Sequence, residues 1–103
     1  MKRLIVTADD FGAAIEVNEA VERAHRNGIL SAASLMVAGA AAGDAVTRAK
    51  AMPELRVGLH LVLVEGRPVL PPSQIPNLVG PDGINSTTGL PAPSLAVPSL
   101  SCA

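Results

Sequence analysis

Leu4-Ile5-Val6-Thr7-Ala8-Asp9-Asp10-Phe11, an apolar run ending on two adjacent carboxylates, decides how this 103-residue chain is read. The run carries the β-branched residues Ile5, Val6 and Thr7 and is too short for a helix before the acidic pair. It reads as a buried strand over Arg3 to Ala8, with Asp9 and Asp10 at its carboxyl end and Gly12 permitting a sharp turn after it. Adjacent carboxylates at the edge of a buried strand repel one another and resist desolvation unless a counter-charge offsets them. A bound cation is one such offset.

Working outward, Ala14, Val17, Val21 and Ala24 recur at helical spacing, with Glu16, Glu19, Glu22, Arg23 and Arg26 on the other faces. The spacing predicts a helix over Ala14 to Asn27, supported by Glu19–Arg23 and Glu22–Arg26 pairs and closed by Asn27-Gly28. Ile29 to Val37 reads as a second strand, ended by Gly39. Ala40 to Ala51 reads as a second helix, closed by Met52-Pro53. Arg56 to Leu63 reads as a third strand, and Val57-Gly58-Leu59-His60-Leu61-Val62-Leu63 places a lone histidine within it. The order β-α-β-α-β with short connections predicts an α/β fold with parallel strands. An open doubly wound sheet and a closed (β/α) barrel both use this order, and both carry their chemistry at the carboxyl ends of the strands.

The character of the chain changes after Glu65. Eight of its nine prolines lie from Pro68 onward, and no charged residue occurs from Ile84 to Ala103. Pro68, Pro71, Pro72, Pro76 and Pro81 predict an extended loop. The stretch 84–103 reads as a disordered or non-native tail, as a shifted reading frame or premature end would produce, so the domain expected to carry function is 1–83.

Composition narrows the function classes. A net charge of −1 offers no basic footprint for nucleic acid or an anionic membrane, and Phe11 is the one aromatic residue, so stacking platforms are absent. Cys102 alone excludes an internal disulfide framework and a cysteine-rich zinc site, and its place near the end reads as a tail thiol. No stretch reaches the ~20 apolar residues of a transmembrane helix, and none has the pattern of a signal peptide, so a cytoplasmic location is expected.

Asp9 and Asp10 could serve as helix N-caps, yet one aspartate would suffice and neither adjoins the helix start. His60 alone reads as a core histidine. Beside the aspartates it reads as a metal ligand: with the second strand between them, the first and third strands lie ~10 Å apart, a gap their side chains can close on one ion. Aspartate with histidine suits zinc, manganese, iron or cobalt better than calcium. His25 reads as a surface residue at a helix end, Glu65 and Arg67 as a solvated loop pair, and Ser31 and Ser34 as ordinary strand residues.

Thr7-Ala8-Asp9-Asp10-Phe11-Gly12, Val17-Asn18-Glu19-Ala20-Val21, Ser34-Leu35-Met36-Val37 and Val57-Gly58-Leu59-His60-Leu61 occur in the order and spacing of a known family. Over residues 1–83 the chain resembles the N-terminal part of the YdjC-like carbohydrate deacetylases. The stretch from Leu61 to Pro72 is similar to the branch associated with hopanoid lipid biosynthesis, HpnK. The resemblance implies an irregular (β/α) barrel longer than this chain, of which β-α-β-α-β is the opening. It implies metal-dependent hydrolysis of an N-acetyl group on an amino sugar or glycolipid. Asp10 and His60 would be metal ligands, for magnesium or zinc, and Asp9 the general base. The family's third ligand, a further histidine, has no counterpart after His60.

With two protein ligands and three strands, the chain alone is expected to be inactive and to expose a sheet edge. The alternative is a non-catalytic, partly folded fragment or interaction module that associates through that edge. A phosphoacceptor receiver is disfavoured, because it needs an aspartate at the end of the third strand, where this chain has His60-Leu61-Val62.

Overall fold

A computed structural model describes residues 1–64 and 66–84. They fall into two units, one from Met1 to Val62 and one that begins at Leu63. The first holds β1 (Thr7–Phe11), α1 (Ile15–Asn27), β2 (Ala32–Leu35), α2 (Ala42–Lys50) and β3 (Arg56–Leu59). The second holds a single turn of 3-10 helix, Pro72–Gln74, with proline at its start, where the missing N–H costs nothing. That turn interrupts the extended loop expected there.

The three strands are parallel and ordered β1-β2-β3. Consecutive neighbours running one way are the arrangement at the opening of a (β/α) barrel, and one half of a doubly wound sheet has it too. Phe11 of β1, Val21 of α1, Ala33 of β2 and Ala45 of α2 share one buried cluster with Leu30, Met52 and Leu55. Both helices therefore pack on the same side of the sheet, and the opposite side carries Ser34.

The strands are shorter than the apolar runs that contain them. β1 begins at Thr7, not Arg3, because β2 offers ladder partners only from Ala32 onward; Leu4 and Ile5 are exposed. Val6 is tied instead to Ser31, whose Oγ accepts from the Val6 N–H at 3.1 Å. β3 ends at Leu59, where its pairing with Leu35 ends, although the apolar pattern continues to Leu63. Nor is β3 buried: Val57 is 41% and Leu59 62% exposed, since no further strand pairs with its outer edge among the described residues.

Arg48 joins the two helices. It contacts Asp44 at 2.8 Å, Glu22 at 2.6 Å and Glu19 at 3.7 Å. The expected Glu22–Arg26 pair forms at 2.7 Å, whereas Glu19 turns toward Arg48. No helix among the described residues is long and apolar enough to cross a membrane. The tail from residue 85, with Cys102, lies outside the described residues, as does Glu65.

Candidate active site at the carboxyl end of the sheet

Asp9 and Asp10 sit in an irregularity of the β1–β2 ladder. Ala8 pairs with Ala33 and Phe11 with Leu35, so Asp9 and Asp10 together oppose Ser34. This is a β-bulge with one extra residue in β1. Asp10 takes up the extra length at φ 62°, a left-handed conformation that aspartate tolerates better than most residues. Successive side chains of a regular strand point to opposite faces. Here the bulge turns both aspartates toward the same neighbours.

The turn after the bulge is held from three sides. The Gly12 N–H donates to Asn18 Oδ1 at 2.7 Å, its carbonyl accepts from the Ala41 N–H at 2.9 Å, and Ala13 N–H donates to the Asp10 carbonyl at 2.9 Å. Gly12 has φ 98°, and a Cβ there would lie 3.0 Å from the Met36 carbonyl. A Cβ on Gly39 would fall 2.2 Å from the Gly12 carbonyl oxygen, so two glycines let the β1–α1 and β2–α2 turns touch.

Asn18 is fully buried. Its Nδ2 donates to the Ala41 carbonyl at 3.0 Å and to Asp44 Oδ2 at 2.8 Å. Asn18, first, and Arg48, second, hold the Asp44 carboxyl below the usual carboxylate range by hydrogen bonding to its charged form.

On the face opposite the helices, Asp9, Asp10, Ser34 and His60 converge. Ser34 Oγ donates to Asp9 Oδ1 at 2.8 Å and lies 3.3 Å from His60 Nδ1, and Asp10 Oδ1 lies 3.6 Å from the same nitrogen. The His60 backbone N–H donates to the Leu35 carbonyl at 2.9 Å, which sets the ring just past the end of β3. Two donors bound to one ion at about 2.1 Å and a tetrahedral angle stand about 3.4 Å apart. The Asp10–His60 separation therefore fits a shared divalent cation, and one carboxylate oxygen with one imidazole nitrogen is an ordinary donor set for it. Among the described residues no group of three His, Cys, Asp or Glu side chains is placed to hold a metal.

The desolvation argument for a cation does not carry over from the sequence. The Asp10 side chain is 63% exposed, so water already screens the paired carboxylates in this chain. Separation, not burial, speaks for the ion.

Sequence reasoning passed over Ser34 and Asn18. Ser34 stands opposite a bulge that local sequence does not announce, and Asn18 differs from a surface helix residue only in what folds over it. Ser31 behaves as an ordinary strand residue, bonded to Val6. His25 Nδ1 lies 2.8 Å from the Leu30 carbonyl, just before β2, and so at the other end of the sheet. Arg67 is exposed in the second unit.

A family model described as YdjC-like protein matches residues 3–93. The chain belongs to the YdjC-like family. The YdjC-like match runs past Gly83. Among curated relatives, the carbohydrate deacetylase of Vibrio vulnificus (strain CMCP6) is 42% identical over 81 residues, which cover 79% of this chain and 31% of the relative. The carbohydrate deacetylase of Geobacillus stearothermophilus is 44% identical over 79 residues, covering 77% and 31% respectively. The chain thus spans about a third of the length of these YdjC-like relatives. The crystal structure of a proposed cellobiose-phosphate cleavage protein from Enterococcus faecalis V583 superposes with a TM-score of 0.76 at 31% identity, covering 82% of this chain and 34% of that one.

Proposed function

We propose that Asp9, Asp10 and His60 are this chain's share of a metal-dependent deacetylase centre acting on an acetylated amino sugar. The observation that carries this reading is the meeting of Asp10 and His60 at 3.6 Å, with Asp9 held beside them by Ser34. Family membership and the carbohydrate deacetylases among the relatives support the reaction class.

Asp10 and His60 would hold the cation, magnesium or zinc, and Asp9 would be the general base. When bound, the cation would polarise the acetamide carbonyl and lower the pKa of a water at the site. Asp9 has Oδ1 engaged by Ser34 and keeps Oδ2 to accept the proton of the attacking water. Water adds to the carbonyl carbon as Asp9 takes its proton, that proton passes to the amide nitrogen as the C–N bond breaks, and acetate and a free amine result. A glycosylated hopanoid is the narrower substrate class, supported by the Leu61–Pro72 stretch, and a cytoplasmic location belongs to the same reading.

The test is calorimetric titration of the 103-residue chain with Mg²⁺ and with Zn²⁺, alongside acetate release from acetylated amino sugars. Weak binding of one ion is expected, abolished by Asp10→Asn and by His60→Ala. Acetate release is expected to be absent, because the described residues place no third protein ligand. Equal binding by the variants and the parent chain would remove Asp10 and His60 as ligands. Metal-dependent turnover by the chain would overturn the expected inactivity.

A second reading has its own observation. Among the described residues β3 presents an unpaired edge with Val57 and Leu59 exposed, the form of strand through which chains associate. On this reading the isolated chain is an associating, non-catalytic module.

A further inference from the structure

A left-handed backbone is costly for a residue with a Cβ, and it persists where the surrounding structure over-determines it. Asp10 is held there, at φ 62°. Without that conformation β1 would be a regular strand, and alternation would send Asp9 and Asp10 to opposite faces. The bonds that hold the turn therefore assemble the site. The Asp10 carbonyl accepts from the Ala13 N–H, the Phe11 carbonyl from the Met36 N–H at 2.8 Å, and the Gly12 carbonyl from the Ala41 N–H. These are backbone bonds, open to any sequence that folds this way. The bond from the Gly12 N–H to Asn18 Oδ1, at 2.7 Å, differs: among the described residues no other side chain bonds to the backbone of residues 9–12. The Phe11–Gly12 peptide is thus pinned at both ends, its carbonyl by Met36 and its N–H by Asn18.

The Asn18 amide has one orientation that satisfies its neighbours. The Gly12 N–H only donates. The Ala41 carbonyl and the Asp44 carboxylate oxygen, 3.0 and 2.8 Å from Nδ2, only accept. Oδ1 must face Gly12. We infer that Asn18 is a positioning residue of this site: its amide, oriented by Ala41 and Asp44, pins the Phe11–Gly12 peptide and so holds Asp10 in the conformation that brings both aspartates to the His60 face. The consequence for ion binding rests on the deacetylase reading, whereas the pinned turn is a property of the ion-free chain.

The experiment is NMR on the ¹⁵N- and ¹³C-labelled 103-residue chain in metal-free buffer. One readout is the Asp10 φ, from three-bond couplings and backbone shifts. The other is exchange of the Gly12 amide relative to that of Ser31, which bonds to the Val6 carbonyl at 3.0 Å at the other end of the ladder. The parent chain is expected to show Asp10 at positive φ and Gly12 protected. Asn18→Ala is expected to speed Gly12 exchange about tenfold relative to Ser31 and to return Asp10 toward extended φ. Val21→Ala opens the buried cluster from the same helix without removing a hydrogen bond from the turn, and is expected to leave both readouts unchanged. Asp44→Ala, at a side chain 32% exposed, takes one partner from Nδ2 and is expected to give a smaller change in the same direction, which Asp44→Asn, retaining an acceptor, reverses. In the calorimetric titration Asn18→Ala is expected to weaken Zn²⁺ binding about tenfold.

An extended Asp10 in the parent chain overturns the role of Asn18 without recourse to any variant. So do readouts unmoved by Asn18→Ala, or by Asp44→Ala should the first variant not fold. A change as large in Val21→Ala as in Asn18→Ala reduces Asn18 to general packing and overturns it too, as does Zn²⁺ binding undiminished by a released turn. A turn released by Asn18→Ala together with no Zn²⁺ binding by the parent chain sustains the hold of Asn18 on Asp10 and sinks the metal reading alone.

Discussion

Asn18 carries more of the site than its distance from the chemistry implies. Its amide makes three hydrogen bonds without access to water, and one of them fixes the Gly12 N–H just after Asp9-Asp10-Phe11. Removing a buried partner leaves each of these groups unsatisfied, and each orphan costs on the order of 1–3 kcal/mol where water cannot replace it. Asn18→Ala is therefore expected to lower the unfolding free energy by about 2–3 kcal/mol, measured by urea denaturation. A loss below about 0.5 kcal/mol, the scale of surface substitutions, would show that water takes over the bonds.

At the scale of elements, α1 and α2 are joined by ion pairs as well as by the buried cluster that holds Val21 and Ala45. The Glu22 carboxyl is held below the usual range, first by its hydrogen bond to Arg26 and then by that to Arg48. Asp44 is lowered by Asn18 and Arg48, and Arg48 is raised by Asp44 and Glu22. A carboxyl whose pKa is lower folded than unfolded contributes stability that is complete above the unfolded pKa. That contribution is lost as pH falls through the lowered folded pKa. Stability is thus expected to decline on acidification through and below the ordinary carboxylate range. Arg48→Met is expected to flatten that decline, read as thermal midpoint against pH. These groups are largely solvated, so added salt is expected to weaken the effect as well. An acid limb as steep in Arg48→Met as in the parent would place the linkage elsewhere.

For the molecule as a whole, the unit from Met1 to Val62 has a helix-covered face with a continuous core and a bare face with the site. Among the described residues no strand pairs with the outer edge of β3, where Val57 and Leu59 are exposed. In relatives about three times as long, the matched stretch is a minor part of the chain. The isolated chain is expected to associate as concentration rises, and Val57→Lys to suppress this by placing a charge on the edge strand. Sedimentation velocity over a concentration series checks it. A monomer at every concentration would remove the associating-module reading.

Much of this was legible in the residues themselves. Helical spacing from Ala14 onward, the breaks at Gly12, Gly28 and Pro53, and two β-branched runs determined element order and hence parallel strands, because period and turn chemistry are local properties. Strand order β1-β2-β3 was decided by tertiary pairing. So were the strand limits, since a strand ends where its partner does and not where its apolar run does. The acidic pair and His60 stood out by residue type, but their convergence did not. Alternation along a regular strand sends Asp9 and Asp10 to opposite faces, and only the bulge against Ser34, with Asp10 in a left-handed conformation, brings them together. A bulge depends on the register of two strands far apart in sequence, so no reading of either strand alone contains it.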